Sequence, residues 1–172
     1  MRIIAQRVFD ASVSVEGKVI SKIGKGILIL VGFCKGDDKD TIDHMVSKTI
    51  NMRLWEANGK AWAASVKDID GEIMVVSQFT LFGTLKKGNK PDFHGALTAN
   101  EAKLLYDTYV GQLRAKFGED KVQTGQFQAL MVVSSSNDGP VTLIHEKSDG
   151  KAEDKEEEPV LEKQPPAENI PL

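Results

Sequence analysis

Gly26-Ile27-Leu28-Ile29-Leu30-Val31-Gly32-Phe33-Cys34 is an apolar run with no polar residue inside it. Nothing in it alternates, so neither side is built to face water. A short run of this kind, bounded by glycine and rich in β-branched residues, reads as a central strand buried on both faces. A second run, Glu72-Ile73-Met74-Val75-Val76-Ser77-Gln78-Phe79-Thr80-Leu81, reads as another strong strand. Such strands need a covering layer, and the rest of the chain has to supply it.

Toward the N-terminus, residues 3–8, 11–15 and 19–23 carry strand patterns, and Glu16-Gly17-Lys18 is a hairpin signal between the last two. Past Cys34 the period changes. Ile42, Met45, Val46, Thr49 and Ile50 fall on one face of a helix that Asp37 or Asp38 would cap. Residues 52–56 return to strand and end at the turn Asn58-Gly59. A loop rich in lysine and glycine spans 83–97. Thr98 and Glu101 then form a capping box, and Ala102, Leu105, Tyr109 and Leu113 line one face of a second helix that stops at Phe117-Gly118. Residues 127–134 and 141–145 read as the last strands, with Asn137-Asp138-Gly139-Pro140 as the turn between them. The expected fold class is therefore α+β, with a curved, mainly antiparallel, barrel-like sheet and two flanking helices.

The chain has 172 residues, 41% of them hydrophobic and 27% charged, enough for one core without disulfides or a structural metal. Composition breaks near Lys147. Residues 147–172 hold eight acids against four lysines and four of the six prolines, and read as a disordered acidic tail. The domain is then 1–146, whose charge is +1, so net charge does not demand a nucleic-acid partner. Cys34, the only cysteine, has nothing in the chain to pair with and reads as a small buried hydrophobe. No leader pattern opens the chain, and 27–33 falls far short of the ~20 residues that span a bilayer. The expectation is a cytoplasmic protein without a membrane segment.

The usual reactive patterns are missing. His44, His94 and His145 stand far apart in sequence without a paired cysteine, which predicts three unrelated surface histidines, no metal and no cofactor. There is no G-x-S-x-G elbow and no phosphate-binding glycine loop. What stands out is Ser77-Gln78-Phe79-Thr80, polar groups that end an apolar strand. Either the backbone satisfies them or they line a pocket, where amide or backbone N–H groups could hold an oxyanion. Thr80 would need an adjacent base to act as a nucleophile, and none lies near it in sequence. Lys87, Lys90 and Phe93 follow in a basic loop, read either as solvated surface or as a phosphate contact.

Ser77-Gln78-Phe79-Thr80-Leu81 and Asn137-Asp138-Gly139-Pro140-Val141-Thr142 together resemble the two signature motifs of D-aminoacyl-tRNA deacylases. Residues 4–8 and 11–13, 87–93 and 124–127 resemble that family too, so the likeness runs in order through 1–146. The resemblance implies a homodimer that hydrolyses the ester between a D-amino acid, or mischarged glycine, and the 3′-terminal ribose of the tRNA acceptor end. It places the ester at Ser77, Gln78, Phe79 and Thr80, with backbone near Gln78 and Phe79 as oxyanion donors. It makes Gly139-Pro140 a cis dipeptide, braced by Arg7 and reaching across the dimer to exclude an L side chain. Phe127, Ala129 and Met131 would line the pocket. Attack would come from the tRNA 2′-OH or a water it positions, with Thr80 as covalent nucleophile the alternative. One departure is Gln128, where the family usually has glycine. The rival functions are a non-catalytic nucleic-acid binder linked to DNA replication and a general ester hydrolase.

Overall fold

The computed structural model describes residues 1–86 and 88–147. Lys87 and the tail from 148 onward lie outside the described residues. The elements run in chain order as β1 (Arg2–Val15), β2 (Lys18–Ile23), β3 (Gly26–Gly32), α1 (Lys39–Asn51), β4 (Arg53–Ala57), β5 (Lys60–Ser65), β6 (Glu72–Ser77), a 3-10 turn (Phe79–Phe82), α2 (Ala99–Phe117), β7 (Val122–Thr124) and β8 (Met131–Glu146).

The expected α+β class holds, with one six-stranded sheet curled toward a barrel and two helices against it. Its spatial order is β2-β1-β3-β6-β7, and β8 pairs along β1. β1 is antiparallel to β2, β3 and β8, whereas β3–β6 and β6–β7 are parallel, so the sheet is mixed. The parallel pairs arise because a helix-bearing connection returns the chain to β6, and again to β7, in the direction it left. β4 and β5 form a separate two-stranded ribbon around the Asn58-Gly59 turn, both of whose residues have positive φ.

The apolar run at 26–34 is central, and its lack of alternation has a visible cause. Ile27, Ile29 and Val31 face the helices in one buried cluster with Ile42, Met45, Val46, Tyr109 and Leu113. Leu28 faces the other way, into the curled sheet with Val8, Val13, Met74 and Val76. Each buried aliphatic side chain of this kind contributes about 1.5–3 kcal/mol. α1 starts at the Asp38 cap, whose carboxylate accepts from the Thr41 N–H at 2.8 Å. Asp37 instead pairs with the Met1 ammonium. The Thr98–Glu101 capping box starts α2 as expected. The Tyr106 hydroxyl ties that helix to the β6 backbone, donating to Val75 O at 3.0 Å.

Several boundaries differ from the expectation. Residues 3–8 and 11–15, expected as separate strands, form the single strand β1. The strand from Glu72 ends at Ser77, not Leu81. Gln78 donates one last ladder bond to Val31 O at 2.7 Å, and the chain then folds over Gly32 into the 3-10 turn. A Cβ at Gly32 would lie 2.8 Å from Gln78 O, so only glycine allows this crossing. Residues 127–130 are a turn rather than the start of a strand, with Gln128 at φ +61 and the Ala129 N–H on Gln126 O at 3.2 Å. Finally, 137–140 is no hairpin turn. It lies inside β8, one 16-residue strand that tracks the whole length of β1, with register shifts between Gln6 and Val8 and between Val8 and Asp10. The extra residues are absorbed as bulges.

Candidate functional site

A cavity of about 630 Å³ opens where β3 and β6 end. Its size suits a small ligand or the end of a larger one. Val31, Gly32 and Phe33 form one wall, Ser77, Gln78 and Phe79 the lip, and the start of α2, with Ala99 and Ala102, a third side. Phe127, Gln128, Ala129 and Met131 close it. The local folding is dictated by close approaches. A Cβ at Gly125 would lie 2.7 Å from Met131 Sδ, so glycine there brings the 127–131 segment onto the strand ends. Phe127 packs at 5.5 Å on the Tyr106 ring, which fixes it between helix and cavity.

The lip has a specific hydrogen-bonding state. The Gln78 N–H is committed to Val31 O, so it is not a free donor. The next two N–H groups, at Phe79 and Thr80, open the 3-10 turn and have no acceptor among the described residues, as the first donors of a helical turn do not. The Gln78 side-chain amide donates to Thr80 Oγ1. No His, Asp, Glu or Lys side chain among the described residues contacts Thr80, which is itself exposed. A largely apolar cavity with unpaired N–H donors beside its lip can accept a carbonyl group and stabilise negative charge growing on its oxygen.

The sequence-derived candidates divide into two groups. Ser77, Gln78, Phe79, Phe127, Ala129 and Met131 all line the cavity. Phe93 joins them indirectly, edge-on to Phe79 at 5.1 Å. Lys90 is exposed in the loop behind Phe93, and Lys87 lies outside the described residues. Arg7, Gly139 and Pro140 form a second constellation. The Gly139–Pro140 bond is cis. Arg7 Nε donates to Asp138 O at 3.2 Å and Nη2 to Asp138 Oδ1 at 3.2 Å, while Nη1 reaches Leu54 O. None of the three lines the cavity. The register explains why. Arg7 pairs with Ile27 and Ile27 with Ile73, whereas Ser77 pairs with Val31, four residues farther along. Four residues of strand separate the two levels by ~13 Å.

Ala99 was not singled out from sequence and Ala102 was read only as part of the apolar face of α2, although the capping box fixes the helix start they sit on. The expectation of three unrelated histidines fails: His44 and His145 are in contact, because β8 ends beside α1. Cys34 is half-buried, and burial pushes its thiol above the ordinary range. No helix among the described residues is long and apolar enough to cross a membrane. No group of three or more His, Cys, Asp or Glu among them is placed to hold a metal ion.

Residues 4–146 match the family model described as D-Tyr-tRNA(Tyr) deacylase. A protein of Flavobacterium psychrophilum named D-aminoacyl-tRNA deacylase is 49% identical over 144 residues, covering 84% of this chain and 95% of that protein. Its Candida glabrata namesake is 44% identical over 144 residues, covering 84% and 97%. Among solved structures, the c-Myc DNA Unwinding Element Binding Protein superposes with a TM-score of 0.83 at 43% identity, over 87% of this chain and 100% of that one. A probable eukaryotic D-amino acid tRNA deacylase, at 17% identity and TM-score 0.72, shares the fold.

Proposed function

Since this chain belongs to the D-Tyr-tRNA(Tyr) deacylase family, we propose that it is a D-aminoacyl-tRNA deacylase, a cytoplasmic hydrolase of the ester joining a D-amino acid to the 3′-terminal ribose of tRNA. The observation that carries the reading beyond family membership is at the cavity lip, where the Phe79 N–H and, next to the lining, the Thr80 N–H have no acceptor among the described residues beside a largely apolar chamber. The aminoacyl ester sits at this lip. Water adds to the ester carbonyl carbon, the carbonyl oxygen becomes the oxyanion that these N–H groups receive, and the ribose 3′ oxygen leaves with a proton. The tRNA 2′-OH positions the water, because no base among the described residues stands beside Thr80. Glycine is hydrolysed too, since a site that selects by steric exclusion has nothing to exclude in it.

Chirality is read by a second copy of the chain. Within one subunit Gly139 and Pro140 do not line the cavity, and the Arg7 level that braces them lies ~13 Å along the sheet from Ser77. β8 presents an unpaired edge together with the exposed apolar side chains of Val132, Leu143 and Ile144, a long surface of the kind that pairs with another chain. A homodimer through this region carries the partner's Gly139 and Pro140 carbonyls to the substrate amino group and leaves no room for an L side chain. Lys90 and Phe93 lie on the loop behind the lip and meet the acceptor end, and Lys87 is assigned to the same contact by its place in the sequence.

The test is deacylation of matched D-Tyr-tRNA and L-Tyr-tRNA, with and without EDTA. Hydrolysis of the D form alone, unchanged by EDTA, supports the reading. Failure to hydrolyse the D form by a folded dimer overturns it. The likeness to the DNA-unwinding-element binding protein favours a second reading as a DNA-binding protein. Affinity for duplex DNA that exceeds affinity for tRNA at matched salt would support that alternative.

A further inference from the structure

The fold brings together two histidines 101 positions apart. His44 Nε2 on α1 lies 3.2 Å from His145 Nε2 near the end of β8, with the rings 5.4 Å apart. Lys48, one turn after His44, is close enough to act on both rings, and Lys147 acts on His44. The acids around this cluster are mostly engaged elsewhere. Asp37 holds the Met1 ammonium, Asp38 caps α1 and also feels Lys147, and Asp43 pairs with Lys39 and accepts from Gln112. Glu146 pairs with Arg2, and Asp40 stands one turn before His44. The result is a basic cluster at a helix–strand junction.

The register ties this cluster to the cavity. Ile3 pairs with His145 on one side and Val31 on the other, and Val31 pairs with Ser77. His145 and Ser77 therefore lie in one row across β8, β1, β3 and β6, at the same end of the sheet. Three strand spacings separate them by about 14 Å. That is the rise of roughly four nucleotides along one strand.

We propose that His44, Lys48, His145 and Lys147 form a phosphate-binding patch that holds the acceptor strand of the tRNA a few nucleotides before the 3′ end seated in the cavity. The inference rests on the reading that the substrate is a tRNA. The lysines supply charge at all physiological pH values. Burial, the lysines and, for His145, the His44 ring lower the proton affinity of both imidazoles in the free protein, and a phosphate set against the outside of the pair supplies the counter-charge that favours uptake of a proton. Binding then tightens as pH falls from 7.5 to 6.0.

The experiment compares wild type, Lys48→Gln and His145→Gln. KM and kcat on D-Tyr-tRNA are measured at pH 7.5 and 6.0, and binding of uncharged tRNA is measured between 50 and 200 mM salt. Wild-type KM is expected to fall several-fold at pH 6.0. His145→Gln removes that fall without changing kcat. Lys48→Gln raises KM about 5-fold at both pH values and lowers the salt slope of tRNA binding by about one. Unchanged KM, pH response and salt slope in both variants overturn the patch, as does a loss confined to kcat. If wild type does not hydrolyse D-Tyr-tRNA, the functional reading fails separately. The salt slope of uncharged tRNA then decides the patch: a slope lowered in Lys48→Gln keeps it, and an unchanged slope removes it.

Discussion

Arg7 grips Asp138 by both backbone and side chain, through Nε to the carbonyl oxygen at 3.2 Å and Nη2 to Oδ1 at 3.2 Å. Its remaining nitrogen reaches Leu54 O, so one guanidinium ties β1, the bulge of β8 and the β4–β5 ribbon together. Arg7→Lys keeps the charge and loses the fork. The expected outcome is a fall of about 10-fold to 100-fold in kcat/KM on D-aminoacyl-tRNA, since small misplacements of a positioning element have effects of that order. The pair is largely buried, at 17% and 18% exposure, so stability should also drop, by about 1–3 kcal/mol in a urea melt. Full activity in Arg7→Lys would show that the dipeptide needs no brace.

Gly139 sits at φ +115, where a residue with a side chain is strained, and a Cβ there would lie 3.0 Å from Arg7 Nη2 and from Val141 Cγ2. Gly139→Val should therefore push against the same brace. Activity on the D substrate should fall at least 10-fold while the fold stays intact by circular dichroism. Unchanged rate and chirality would remove Gly139 from the site.

Much of this architecture was legible in the sequence because hydrophobic burial wrote it there. The run from Gly26 packs on both faces and the 42–50 stripe packs on one, and each pattern matched its environment. The misreadings share a cause. Asn137-Asp138-Gly139-Pro140 has the composition of a turn, and local propensity cannot reveal that β1 continues opposite it and holds it in a strand. The end of β6 at Ser77 is set by Gly32 on another strand, again outside any local window. The His44–His145 contact depends on where β8 finishes relative to α1. The cavity lip was readable because polar groups at the end of an apolar strand require an explanation. Its division from the Arg7 constellation was not readable, because only the register separates them.

Gln128 offers a test of what the sequence departure at this position does. It adopts φ +61, a left-handed conformation that costs an L residue about 1–2 kcal/mol and glycine little. Part of that gain is offset by the larger entropy of glycine in the unfolded chain. Gln128→Gly is expected to stabilise the protein by about 0.5–1 kcal/mol, seen as a rise of a few degrees in Tm. Because Gln128 lines the cavity, KM should change more than kcat. A fall in Tm would mean that the glutamine side chain makes a contact worth more than the backbone strain.

The histidine contact makes stability depend on pH. Burial, the neighbouring lysines and, for His145, His44 itself hold both imidazoles below the ordinary value of about 6.5. The unfolded chain therefore binds protons more readily than the folded one in this range, so folding is undisturbed above about pH 7 and weakens as pH falls through 6.5 and below. Tm measured without tRNA should decline from pH 7.5 to 5.5. His145→Gln should flatten that decline. The depressed carboxylates Asp38, Asp43 and Asp68 act at lower pH, where protonation removes their bonds to Thr41, Lys39 and Ser65. A decline equally steep in His145→Gln would assign the effect to other groups.

Thr80 decides between the two ways of attacking the ester. Its hydroxyl accepts from the Gln78 amide, and its side chain is exposed. A covalent nucleophile must lose its proton to a base as it attacks, and a hydroxyl without one is a poor nucleophile at neutral pH. The Thr80 main chain, by contrast, offers one of the two N–H groups that open the 3-10 turn beside the lip and have no acceptor among the described residues. Thr80→Ala removes the hydroxyl and keeps that N–H, so most of the hydrolysis rate should survive, within about 10-fold of wild type. The complementary substrate is a tRNA ending in 2′-deoxyadenosine, which should be hydrolysed at least 100-fold more slowly, a loss typical of a missing positioned group. Inactive Thr80→Ala with an intact fold, together with normal turnover of the 2′-deoxy substrate, would reverse the assignment and make Thr80 the nucleophile.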